Sequence, residues 1–161
     1  MTDKRWDDWF ARRPGPASVQ RDLMGDPVYD LPRGYEAKLR SMMRKSIASA
    51  KDRQAAKDQP AAVTLTVPEG MAILKSQGYR CALTNLQFWV GDSGGTYGPR
   101  IPSLDRVQCD GPYSADNVRV ILFGVNGLRG RGTDDEMYAL AEALLKMRAG
   151  LKELSPRAGQ T

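Results

Sequence analysis

The 161-residue chain predicts a small α+β protein: short antiparallel hairpins with a helix behind them, flanked by a basic helix upstream and an amphipathic helix downstream. Three observations carry that expectation. Two short runs, Ser103 to Val107 and Val118 to Leu122, are separated by the turn-rich stretch Gly111–Asn117 and read as an antiparallel strand pair. Two Thr-x-x-Glu sequences, Thr66 with Glu69 and Thr133 with Glu136, stand immediately before apolar runs at helical spacing. Between Tyr35 and Lys57, Leu39, Met42, Met43, Ile47 and Ala50 form one apolar stripe on an otherwise charged segment.

Taken in order, residues 1–32 read as an arm. Trp6, Trp9 and Phe10 fall at i, i+3 and i+4, enough for one aromatic-faced turn, and Arg12-Arg13-Pro14-Gly15-Pro16 ends it. That turn can dock on the protein's own core or anchor a partner. The Tyr35–Lys57 helix ends at Asp58-Gln59-Pro60, and Val63-Thr64-Leu65 follows as a short strand. The first capping box, with Pro68 in its first turn, opens a helix holding Met71, Ile73 and Leu74, which Gly78 closes. Cys81-Ala82-Leu83 and Leu86 to Val90 read as a hairpin around Thr84-Asn85, with Trp89 in the core and a Gly-rich loop from Gly91 to Pro99 after it. The strand pair then leads into a short helix from about Phe123 to Leu128. In the last helix Met137, Leu140, Ala141, Leu144 and Leu145 make a face expected in the core, with Gly150 as its stop and residues 151–161 as a loose tail. The domain proper is expected over residues 33–150, its finger-like centre over about 81–130.

Charged residues make up 27% and apolar ones 41%, the balance of a globular chain rather than a disordered one. No apolar run approaches the roughly 20 residues of a membrane span, and the acidic N-terminal residues Asp3, Asp7 and Asp8 do not suit a secretory leader, so a cytoplasmic location is expected. A net charge of +5 favours an anionic partner, phosphate backbones being the commonest. The first helix carries Lys38, Arg40, Arg44, Lys45, Lys51, Arg53 and Lys57 against Glu36 and Asp52 alone, which makes it the first candidate for a nucleic-acid-contacting surface. Arg119, Arg129 and Arg131 are further candidates; Arg129 also suits the negative end of a helix dipole. With no histidine and two separated cysteines, Cys81 and the loop thiol Cys109, neither a disulfide framework nor a structural zinc is expected.

The chemistry-bearing residues cluster in the strand pair and the short helix. Asp105 offers a hard anionic oxygen and Asn126 a neutral amide oxygen, a set that suits Mg²⁺ or Mn²⁺, since such ions keep several waters and bind substrate phosphate directly. Asp105 also has Arg106 and Arg119 as ion-pair partners, and Asn117 after Asp116 suits a turn, so a purely structural assignment stands beside the catalytic one.

Pro102-Ser103-Leu104-Asp105-Arg106-Val107, Gly111-Pro112-Tyr113, Asp116-Asn117-Val118-Arg119-Val120 and Asn126, preceded by Cys81-Ala82-Leu83-Thr84, resemble the core of HNH-type (His-Me finger) endonucleases, in particular a phage and prophage-associated subgroup. The resemblance covers roughly residues 35–148, its specific motif residues 81–126. It implies a ββα-metal fold and a divalent-metal-dependent DNA endonuclease in which Asp105 and Asn126 hold the metal and Asn117 braces the loop. The family's general-base histidine is replaced by Arg106, which keeps its proton near neutrality; it can orient a phosphate or stabilise charge, but it cannot activate water. Another base would then serve, or the protein would be a catalytically silent derivative that binds DNA or, through Trp6, Trp9 and Phe10, a protein partner. A basic adaptor for an acidic protein surface is a third class.

Overall fold

The structure, a computed structural model, describes residues 20–21, 27–28, 31–90 and 98–154. Its elements are β1 (Gln20–Arg21), β2 (Pro27–Val28), α1 (Tyr35–Ala55), α2 (Val67–Ser76), β3 (Pro102–Arg106), β4 (Val118–Leu122), α3 (Phe123–Arg129) and α4 (Asp134–Leu154). It is a small α+β domain in which helices on both the N- and C-terminal sides flank a short antiparallel hairpin. The aromatic turn at Trp6, Trp9 and Phe10 lies outside the described residues.

The hairpin β3–β4 pairs Asp105 with Arg119 and Leu104 with Val120. Because strand side chains alternate, Leu104 and Arg106 share one face with Val118, Val120 and Leu122, while Ser103 and Asp105 share the other with Arg119 and Ile121. The first face joins the core with α1 and α2, through Leu39, Met43, Ile47, Ala50, Met71 and Leu74. The α1–α2 crossing is close: a Cβ on Gly70 would stand 2.6 Å from the sulfur of Met43. The other face is covered by α3, whose Asn126 Nδ2 donates to Ser103 Oγ (2.8 Å) and to the Leu104 carbonyl (3.1 Å).

Both capping boxes form. Thr66 Oγ1 accepts from the Glu69 amide and the Glu69 carboxylate accepts from the Thr66 amide; Thr133 and Glu136 repeat the arrangement. Gly78 stands at φ +65° just beyond α2, where the left-handed conformation turns the chain.

Four expectations need correction. Val63–Leu65 is not a strand; Val63 makes one parallel bridge to Tyr113, and the Thr64 and Leu65 amides both donate to the Tyr113 carbonyl. Residues 81–90 are not a two-stranded hairpin: Arg80 and Gln87 form a single bridge, Asn85 takes φ +57°, and the flanking amides bond elsewhere, Ala82 to Val120 and Trp89 to Arg100. Gly150 does not stop α4, which continues to Leu154, since one glycine in a helix costs only about 1 kcal/mol. The apolar face of α4 is not core either. Met137 is buried, but Tyr138, Leu140, Leu144, Leu145 and Met147 are exposed.

Candidate functional site

Strand pairing and the helix that follows it bring Asp105, Arg119, Asn126 and Arg129 to one side of the hairpin, where the start of α4 adds Asp134. Asp105 is 3% exposed, and both its oxygens are taken: Arg119 Nε donates to Oδ2 (2.7 Å) and Arg129 Nη1 to Oδ1 (2.9 Å). Arg119 also grips Asp134 with both terminal nitrogens, at 2.7 and 2.5 Å, and Arg129 Nε donates to the same carboxylate (2.8 Å). Two guanidiniums thus alternate with two carboxylates in a closed ring of charge-assisted bonds.

Arg129 is the most enclosed of the cations, its side chain 5% exposed, and it also donates to the carbonyls of Arg106 and Val107. It thereby ties the end of α3 to the start of the β3–β4 loop. The electrostatic consequences follow the geometry. The hydrogen bond from Arg119 holds the Asp134 carboxyl down at about 2, against a smaller opposing effect of burial, with Arg129 adding to the lowering. Arg119 is held above its ordinary range chiefly by its bond to Asp134. Burial works against the charge on Arg129, yet the bond to Asp134 and the field of Asp105 outweigh it.

Arg106 points to the opposite face from Asp105. Its Nη1 donates to the Gly111 carbonyl (2.8 Å) and its guanidinium lies 4.6 Å from the Tyr113 ring centroid, a cation–π contact. β3 is regular through both residues, so the two side chains leave the strand on opposite faces. Asn117 braces the loop: its Nδ2 donates to the carbonyls of Gln108 (3.1 Å) and Pro112 (2.8 Å), and its Oδ1 accepts from the Gln108 amide (2.9 Å). Gly111 completes this turn because a Cβ there would meet Asn117 Nδ2 at 2.6 Å.

As bonded here, the Asp105 carboxylate does not fit a divalent cation. An ion at Asp105 would compete with two guanidiniums for the same oxygens and would face their positive charge at contact distance. Asn126 bonds to Ser103 and Leu104 through its amide nitrogen, and its Oδ1, the atom a metal would take, is outside those bonds. Among the described residues no three His, Cys, Asp or Glu side chains converge as a ligand set.

Of the residues expected at nucleic acid, Arg119 and Arg129 are drawn inward to carboxylates. Arg131 is exposed and pairs with equally exposed Asp110. On α1 the cations remain outside: Lys38, Arg40, Arg44, Lys45, Lys51 and Arg53 are all exposed, opposite a buried stripe of Tyr35, Leu39, Met43, Ile47, Ala50 and Gln54. Arg40, Arg44 and Lys51 follow one another at four- and seven-residue steps on one flank; Lys38 and Lys45 take the other, with small Ala37, Ser41 and Ala48 between. Arg40 bonds to Glu36 and Arg53 to Ser49, each one turn back along the helix and each exposed.

Sequence reasoning missed Asp134 and Gln77. Asp134 was hidden in the capping box around it, although three consecutive acids, Asp134-Asp135-Glu136, were a visible signal. Gln77 completes the free edge of β4: its Nε2 donates to the Val120 carbonyl (2.8 Å) and its Oε1 accepts from the Val120 amide (2.9 Å). Nothing local in the sequence indicates that reach. Comparison with known proteins adds no relative: no family model, curated protein or solved structure matches this chain.

Proposed function

We propose that the protein is a catalytically silent DNA-binding module built on an HNH-like ββα scaffold, with α1 as its phosphate-contacting surface. The observation that carries this reading is the ring around Asp105, which occupies the oxygens a catalytic metal would need. Every other motif residue likewise serves the fold: Arg106 rests on Tyr113 and Gly111, Asn117 holds its loop, and Asn126 holds β3. The binding half of the proposal rests on charge. With six cations against two acids, α1 alone carries four of the net positive charges of a chain whose total is +5. The small residues between its two basic flanks let the helix backbone approach a groove.

The second reading, a metal-dependent endonuclease, keeps the motif order in its favour and is separated by the same experiment. Duplex binding is followed by fluorescence anisotropy across a salt series, for wild type and for Arg44→Glu/Lys45→Glu/Lys51→Glu. Each lost phosphate contact removes about 0.9 from the slope of log K against log salt, so the triple variant should flatten it by about 2 to 3 and weaken binding on all sequences alike. Wild type is incubated in parallel with plasmid and branched DNA in Mg²⁺ or Mn²⁺. Cutting that a folded Asp105→Ala variant lacks would establish the nuclease. Absence of both binding and cutting would end the nucleic-acid reading.

A further inference from the structure

Helix α4 leaves the domain part-way along its length. Among the described elements it packs only against α3. Met137 is 3% exposed and Ala141 half-buried, but every residue from Glu142 to Ala149 is exposed. Leu140, Leu144, Leu145 and Met147 stand 52, 62, 63 and 66% exposed on this overhang. A helix in water with an uncovered apolar stripe and no tertiary support is marginal at this length. The stripe itself is ordered: Met137, Leu140, Leu144 and Met147 follow steps of three, four and three, and the sequence continues at four and three with Leu151 and Leu154. That is the alternation of a helix seam that packs knobs into holes against another helix.

We propose that a second copy of this chain covers the overhang, the two α4 helices pairing antiparallel about a two-fold axis between Leu145 and Lys146. Charge sets the direction. In the first turn of α4 Asp135 and Glu136 stay outside the ring that takes up Asp134. The second half carries Lys146 (bridged to Glu142), Arg148 and Lys152 against Glu153 alone. Antiparallel pairing sets each acidic end towards the partner's basic end; parallel pairing sets like beside like. The domain body sets the register. Met137 is already covered, so a partner helix cannot slide further than the point where its own end reaches Met137. At that limit Leu144 packs against the partner's Met147, and Leu140 stands level with the partner's Leu151. Beside the seam, Ala143 and the partner's Gly150 share one flank, about 3 Å apart along the axis, so the backbones approach closely. An isologous contact of this kind closes on itself and uses Leu140 and Leu144 twice each.

Sedimentation equilibrium of the full chain gives the first measurement. Wild type should show a concentration-dependent dimer, and Leu144→Glu should raise its dissociation constant by about a hundredfold or more, since the charge enters the interface twice. Unchanged near-ultraviolet circular dichroism confirms that the variant's core is intact. Orientation is read from spin labels at Ala139→Cys or Lys146→Cys in a Cys109→Ser background. Both positions occupy the same side of the heptad, so a parallel pair gives equal label distances. In the antiparallel pair the Ala139 labels are offset along the axis by about 20 Å and the Lys146 labels by about 1.5 Å. A wild type monomeric at all concentrations overturns the proposal, as does a dimer indifferent to Leu144→Glu. A chain that dimerises only after deletion of residues 1–16 also overturns it, because the aromatic arm would then be the natural cover.

Discussion

Replacing Asp105 by alanine removes one anion from a ring in which both cations are shielded from water. Arg129, 5% exposed, loses its Oδ1 partner, and Arg119, 16% exposed, loses its Nε partner, while both keep Asp134. Deleting one member of a buried pair costs about 3–5 kcal/mol, because the surviving charge stays desolvated and uncompensated. The retained Asp134 bonds place this case near the lower end, at about 3 kcal/mol. For a domain of this size that corresponds to a fall in Tm of about 6–12 °C. Urea denaturation at neutral pH measures it directly, provided the m-value is unchanged so that the midpoint alone reports stability. Millimolar Mg²⁺ supplies the control: an ion bound only to the native state would raise wild-type stability in proportion to the logarithm of its concentration. The ring predicts no such rise. A loss below about 1 kcal/mol, or a Mg²⁺-dependent gain that Asp105→Ala abolishes, would refute the assignment of Asp105 to a closed ion network.

Three further outcomes follow from the same geometry. Gly70→Val should cost about 2 kcal/mol or more by pushing buried Met43 off α2, whereas Gly70→Ala should stay within about 1 kcal/mol because its gain in helix propensity offsets the crowding; thermal unfolding of both variants checks the contrast. Asn117→Ala leaves the Gln108 amide and two carbonyls without their partner, at a cost of about 2–3 kcal/mol, and hydrogen exchange should speed up at the Gln108 amide. Tyr35 donates its hydroxyl to the Phe88 carbonyl, and burial pushes its pKa from 10.0 up to about 12, so its contribution is complete below pH 10 and is lost as pH rises from 10 through 12. Tyr35→Phe should cost about 1 kcal/mol at neutral pH and remove that part of the alkaline decline, read from denaturation at stepped pH against wild type.

What the sequence made legible is what depends on neighbours in the chain. Both capping boxes need only a Thr and a Glu three residues apart, and both formed. The buried stripe of α1 follows a period that one helix sets by itself, and the β3–β4 pair follows two short runs joined by a turn-rich stretch, the second run rich in Val and Ile. The errors share the opposite origin. Residues 81–90 have strand-like composition, but Cys81 and Asn85 bond within a tight turn, to Leu86 and Cys81, while Ala82 bonds to β4 and Trp89 to Arg100 beyond the Gly-rich loop. The periodicity of α4 announces an apolar face and is silent about what covers it. Arg129 read as a nucleic-acid candidate at a helix end because the two carboxylates that enclose it come from positions 24 residues before and 5 after.

The motif positions cannot by themselves separate a nuclease from its scaffold, because bracing residues do the same work in either. Asn117 must hold the loop and Asn126 must hold α3 on β3 whether or not Asp105 carries a metal. The discriminating residues lie beside the motif. Arg119 pairs across the hairpin with Asp105 simply because register places them opposite, and Arg129 reaches in from the last turn of α3. Together with Asp134 they bring the local charge to zero, and a hard cation needs a site of net negative charge. Removing either arginine alone would leave the other bridging Asp105 and Asp134, one positive charge against two negative. Only loss of both would free Asp105 and Asp134 on the side of the hairpin that Asn126 occupies. The proposed binding role therefore requires no change of fold from the catalytic alternative, only two cations held inside it.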